Sequence, residues 1–121
     1  MRLDTSILVV DDEQNFTALL DTVLSERGYE VHTALSEDAA LQLAEERSFD
    51  LALVDVRIGQ SNGLSLITAL KQHVPEIKVI TITAYPTPES YHQSLQKGAS
   101  AYCTKPVDLV DLLETIRRVL S

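Results

Sequence analysis

Five short apolar runs alternate with five stretches of helical period, and this alternation constrains the fold more than any other feature. Ser6-Ile7-Leu8-Val9-Val10 has the length and β-branched content of a strand covered on both faces. Phe16, Leu19, Leu20, Val23 and Leu24 then recur at the spacing of one helical face, and Gly28 after Arg27 reads as a stop. A second strand is expected around Glu30 to Ala34. Ser36 can cap a helix carrying Ala40, Leu43 and Ala44 inward and ending near Arg47. Leu51-Ala52-Leu53-Val54 is the third strand. A loop from Asp55 to Asn62 leads to a helix with Leu66, Ile67, Leu70 and Val74, stopped by Pro75. Val79-Ile80-Thr81-Ile82 is the fourth strand, followed by a loop, Tyr85 to Pro88, with two prolines. The stretch from Glu89 to Lys97 reads as a helix with few apolar anchors, ending at Gly98. Ala101-Tyr102-Cys103 is the fifth strand. Asp108 caps a last helix with Leu109, Leu112, Leu113, Ile116 and Leu120 facing in, and Arg117 and Arg118 lie near the negative end of its dipole.

Buried strands joined through helices imply an α/β fold, (βα)5, with a five-stranded parallel sheet and helices on both faces. With 121 residues, 45% hydrophobic and 23% charged, the chain suits one soluble domain able to bury about two-thirds of its unfolded surface. The charge is lopsided, with 18 Asp and Glu against 10 Lys and Arg and a net −8. Such a surface repels nucleic acid and anionic membranes, so neither is an expected direct partner. Cys103 is the single cysteine, which excludes an internal disulfide and fits a reducing cytosol. No apolar stretch approaches the roughly 20 residues that span a bilayer, and Met1 to Asp4 carries no signal-peptide pattern.

In an open parallel sheet, ligands bind at the carboxyl ends of the strands. After the first strand come Asp11, Asp12 and Glu13; after the third, Asp55; after the fourth, Thr83 and Ala84; after the fifth, Thr104, Lys105 and Pro106. Folds that bind dinucleotides or flavins use the first turn for phosphate, and here three acids would repel an anion. Neither a GxGxxG nor a GxxxxGK[ST] pattern occurs. The acidic turn calls for a cation, and carboxylates suit a hard divalent ion such as Mg²⁺. Asp55 is then a candidate nucleophile toward a phosphoryl group. The charge on its oxygens would be met by the ion, the Thr83 hydroxyl and Lys105, while small Ala84 leaves the approach open. His32, His73 and His92 are scattered without zinc-ligand spacing, and no Ser/His/Asp triad can be assigned.

Asp11-Asp12, Asp55, Thr83-Ala84 and Lys105-Pro106, together with Gly63, Gly98 and Tyr102, resemble the receiver domain of two-component response regulators across the whole chain. The resemblance implies the flavodoxin-like strand order 2-1-3-4-5 and a single receiver domain over residues 1–121. It implies that Asp55 accepts a phosphoryl group from a sensor histidine kinase or histidine phosphotransfer protein. Asp11, Asp12, Asp55 and the backbone carbonyl of Arg57 would hold Mg²⁺ or Mn²⁺. Thr83 would hydrogen-bond the phosphoryl group, and Lys105 would pair with it, or with Asp55 in its absence. The Lys105-Pro106 peptide would be cis. Thr83 and Tyr102 would form the switch, changing a face made by the fourth helix, fifth strand and fifth helix for an effector domain or partner protein. Such a domain is cytoplasmic and turns over no external substrate.

Ile58-Gly59 stands where the family often has Met-Pro. Arg57 and Tyr85 edge the site, with Ala84 between Thr83 and Tyr85, and predict a slowed loss of phosphate. The alternative is a receiver-like interaction module that works without phosphorylation. A flavin binder is opposed by the missing phosphate loop. A phosphatase using Asp55 is opposed by Arg57, which stands where its second aspartate is expected.

Overall fold

The computed structural model describes residues 4–59 and 61–121. The expectation about the N-terminal signal pattern falls on residues 1–3, outside that range, except for Asp4. Five parallel strands, β1 (Ser6–Val10), β2 (Glu30–Ala34), β3 (Leu51–Asp55), β4 (Lys78–Thr83) and β5 (Ala101–Thr104), lie in the order β2-β1-β3-β4-β5. The helices are α1 (Gln14–Glu26), α2 (Glu37–Glu46), α3 (Gly63–His73), α4 (Pro88–Gln96) and α5 (Leu109–Leu120). The doubly wound arrangement and its strand order are those expected.

Alternation along the central strands feeds two apolar layers. Ile7, Val9, Leu51, Leu53, Ile80 and Ile82 meet Leu20 and Leu24 of α1 and Leu112 and Ile116 of α5. Leu8, Val10, Ala52, Val54 and Val79 meet Ala40 and Ala44 of α2 and Leu66, Ile67 and Leu70 of α3. The helix α4 lies on this second face, against β5 and α3. Both faces of the central strands are covered, so their sequences read as unbroken apolar runs.

Capping follows the sequence at α2 and α5, where Ser36 accepts from the Ala39 N–H and Asp108 from the Asp111 N–H. Three details differ from the expectations. Leu19, placed on the inward face of α1, is 45% exposed, because the sheet covers only the narrow stripe through Leu20 and Leu24. Pro88, assigned to a loop, is the first residue of α4; a helix start has no use for that N–H, so proline fits there. Thr87 caps it, with Ser90 completing a reciprocal capping box. The stretch between Asp55 and Asn62 is also more ordered than a loop, since Arg57–Ile58 pairs antiparallel with Ser61–Asn62.

Register positions the site. Val10, Val54, Thr81 and Tyr102 stand side by side across four strands. Asp11 and Asp55 each follow that row by one residue, Thr83 by two and Lys105 by three. All four emerge on the same edge of the sheet.

Candidate functional site

The first β-to-α turn is organised by its own carboxylates. Asp11 is buried and its Oδ1 accepts from the Glu13 N–H at 2.9 Å. Asp12 is exposed, and its Oδ2 accepts from the Gly59 N–H at 2.7 Å, which ties this turn to the stretch after β3. Gly59 has φ +59°, a left-handed conformation that costs a glycine little. The acids therefore do more than cap α1, whose N-cap Glu13 makes no side-chain cap bond.

Asp55 ends β3 at 7% exposure. Its Oδ1 accepts from the Arg57 N–H at 3.0 Å, and its Oδ2 lies 3.2 Å from Lys105 Nζ. The chain then turns back so closely that the Gly63 N–H reaches the Val56 carbonyl at 2.6 Å. An added Cβ at Gly63 would fall on the Asp55 carbonyl oxygen, so only glycine starts α3 here. Burial pushes the Asp55 carboxyl above its ordinary value. Asp11 adds to this, against the Arg57 N–H and Lys105.

Lys105 reaches in from the far edge strand. Its Nζ bonds Asp11 Oδ2 at 2.7 Å, Glu13 Oε1 at 3.2 Å and Asp55 Oδ2 at 3.2 Å. The ammonium also stands 4.5 Å above the centroid of the Phe16 ring. Burial alone would depress its pKa, but the hydrogen bond to Asp11 and the charge of Asp55 carry it well above the ordinary lysine value. The peptide to Pro106 is cis, as expected.

Thr83 is fully buried, and its Oγ1 accepts from the Tyr85 N–H at 3.0 Å. The Tyr85 ring lies 4.8 Å from the Arg57 guanidinium, forming one wall of the opening. Asp12, Glu13, Asp55, Arg57, Gly59, Ala84, Tyr85 and Lys105 line a cleft of about 380 Å³. One oxygen each from Asp11, Asp12 and Asp55 lies within 4.8 Å of the others. Three carboxylates so close form a hard-oxygen set that fits a divalent cation of the Mg²⁺ kind.

Tyr102 stands apart from the cleft. Its hydroxyl is 2.6 Å from Ser90 Oγ on α4, and its ring packs edge-on against Tyr91. The structure thus joins Asp11, Asp12, Asp55, Arg57, Ala84, Tyr85 and Lys105 around one opening, with Thr83 behind it and Tyr102 on the helical side. Sequence reading gave Glu13 no role beyond the acidic turn, and Phe16 none beyond the core. Both touch Lys105. The only signal for either was nearness to Asp12, since their partner lies about ninety residues away.

Fold and site together define a small doubly wound α/β domain whose acidic strand-end pocket is clamped by a lysine. Residues 7–117 match the model of the response regulator receiver domain, and the chain belongs to that family. It is 37% identical over 115 residues to the transcriptional regulatory protein ZraR of Escherichia coli O157:H7, covering 95% of this chain and 26% of that protein. It is 35% identical to the response regulator protein PilR of Pseudomonas aeruginosa, covering 93% of this chain and 25% of that one. The chain thus spans about a quarter of the length of these relatives.

Among solved structures, a CheY-like receiver domain protein from Methanospirillum hungatei JF-1 superposes with a TM-score of 0.94 at 35% identity, covering 98% of this chain and 94% of that one. A response regulator from Burkholderia pseudomallei, solved with a phosphorylated aspartic acid, calcium ion and citrate, gives 0.88 at 34% identity, covering 98% and 67%. None of the described helices is long and apolar enough to cross a membrane.

Proposed function

We propose that this receiver domain is a phosphorylation switch with Asp55 as its acceptor. The observation that carries the reading is the Asp55 carboxylate itself. It stands at a strand end, beside two further aspartates and within bonding distance of Lys105. The related Burkholderia protein, holding a phosphorylated aspartic acid and a calcium ion, supports it.

An Asp55 carboxylate oxygen attacks the phosphorus of a phosphohistidine on a sensor kinase or phosphotransfer protein. The new O–P bond forms as the N–P bond breaks, and the imidazole leaves. Asp11, Asp12, Asp55 and the Arg57 backbone carbonyl would hold Mg²⁺ or Mn²⁺, which supplies neutralising charge to the phosphoryl oxygens when bound. Lys105 pairs with one phosphoryl oxygen and the Thr83 hydroxyl donates to another. The Thr83 hydroxyl accepts from the Tyr85 N–H and keeps its own O–H to donate, and a shift of Thr83 toward the phosphoryl group would draw on the segment leading to α4 and loosen the Tyr102 contact. The changed face of α4, β5 and α5 then meets an effector domain or partner protein. Loss of the signal is hydrolysis: water attacks phosphorus and the Asp55 carboxylate leaves. The domain acts only on its own aspartyl phosphate, works in the cytoplasm and touches no nucleic acid directly.

Incubation with acetyl phosphate and Mg²⁺, read by intact mass, tests the reading. An adduct of one phosphoryl group is expected, absent in Asp55→Asn. No adduct on the unaltered chain favours an interaction module that works without phosphorylation. The stacked Arg57 and Tyr85 shield the cleft from water, so the Arg57→Ala, Tyr85→Ala double variant should lose its phosphoryl group faster. An unchanged lifetime would remove that role.

A further inference from the structure

Lys105 sits at the end of a flexible four-carbon stem, yet its ammonium has one well-defined place. Three carboxylates account for the direction of its N–H bonds. They do not account for what lies beneath it, the face of Phe16 at 4.5 Å. That distance falls inside the roughly 6 Å over which a ring face attracts a cation.

The ring is well placed to act on Lys105. Phe16 lies in the first turn of α1, and its N–H bonds the Glu13 carbonyl at 3.0 Å. The short segment that carries Asp11 and Glu13 therefore also sets the ring. Phe16 is half-buried and packs against the apolar layer under α1 and α5. Its body is anchored while one face stays turned to the site.

We propose that Phe16 is a positioning residue for Lys105, its ring face holding the ammonium between Asp11 and the acceptor Asp55. Hydrogen bonds are directional, whereas attraction to a ring face tolerates sliding. The platform therefore keeps its hold while the ammonium shifts from a carboxylate to an arriving oxyanion. Leucine at this position would cover the lysine stem equally well and give the charge nothing. The inference rests on the phosphorylation reading for its consequence, but the placement of Lys105 can be read without it.

The test compares Phe16→Leu and Phe16→Tyr with the unaltered chain. The ε-methylene protons of Lys105, seen by NMR, should be shifted upfield by the ring in the unaltered chain and in Phe16→Tyr. They should return toward the free-lysine position in Phe16→Leu. Adduct formation from acetyl phosphate should slow about three- to thirtyfold in Phe16→Leu and be restored in Phe16→Tyr. The lysine signal reads whether the ring lies over the stem; a merely structural role would leave the rates of Phe16→Tyr and Phe16→Leu alike. An unshifted Lys105 signal in the unaltered chain would overturn the proposal, as would equal rates in Phe16→Leu and the unaltered chain. If the unaltered chain forms no adduct, the phosphorylation reading fails while the NMR comparison still decides the placement. If Phe16→Leu does not fold, Phe16→Met keeps the bulk without the ring and repeats the comparison.

Discussion

Helices α4 and α5 both pack against the edge strand β5, and they are held in place by different forces. The helix α5 buries Leu112 and Ile116 and half-buries Leu109, Leu113, Val119 and Leu120 against the sheet. The single buried residue of α4 is Ser94, while Tyr91 and Leu95 are 50% and 41% exposed. What secures the start of α4 is a set of hydroxyl bonds: Thr87 with Ser90, and Ser90 with Tyr102. An element held by apolar burial is expensive to move, and one held by a few exposed hydrogen bonds is cheap. The site spans both kinds of neighbour. Lys105 precedes the anchored helix, and Thr83 precedes the loose one.

The contrast can be broken by substitution. Ile116→Ala should cost about 2–5 kcal/mol of global stability, read from the urea midpoint. The matching change on α4, Leu95→Ala, should stay within about 0.5 kcal/mol. Equal losses would mean that α4 is as firmly anchored as α5.

Lys105→Met comes next, with adduct formation at Asp55 falling about 10²–10³-fold, or roughly 2.7–4 kcal/mol, the range seen when one fixed donor to developing charge is lost. Its pH dependence is also defined. In the unaltered chain the folded lysine is raised, so its stabilisation is complete below the unfolded value of about 10.4 and is lost only as pH rises through the folded value. The variant lacks that alkaline loss. It also leaves Asp55, already raised by burial and by Asp11, without the lysine that lowers it. A group raised in the folded state favours folding below its unfolded value, about 3.9 for Asp, and loses that benefit as pH rises. Urea midpoints of Lys105→Met should therefore climb on acidification from pH 8 to 4, relative to the unaltered chain. Parallel curves would separate Lys105 from the Asp55 equilibrium.

A smaller and local effect is Ser90→Ala, about 1 kcal/mol, seen as roughly fivefold faster amide exchange confined to α4. Equal acceleration in α5 would mean that the two helices open together.

These differences also explain what was legible in the sequence. The strands could be read because both faces of Leu51–Val54 or Ser6–Val10 are covered, which leaves a continuous apolar run. The acidic cluster could be read because carboxylates following separate parallel strands must share an edge. Leu19 misled because a helical stripe of five positions is wider than the sheet face that receives it. The pairing of Arg57–Ile58 with Ser61–Asn62 was invisible because two residues carry no period. Thr87 and Pro88 looked like loop because a proline at a helix start and a proline in a turn read alike. Phe16 served the apolar period of α1 so well that its second contact, with a residue from the last strand, left no trace in the local pattern.

An ammonium has three N–H bonds, and those of Lys105 all end on carboxylates: Asp11, Glu13 and Asp55. The group is saturated, so any further acceptor joins it only by exchange, one ligand out for each one in. Of the three, Asp11 and Asp55 are buried, whereas the Glu13 side chain is 65% exposed, with water at hand to receive it. Glu13 is thus the placeholder of the pocket, the one partner that can step out without leaving a charge stranded inside the fold.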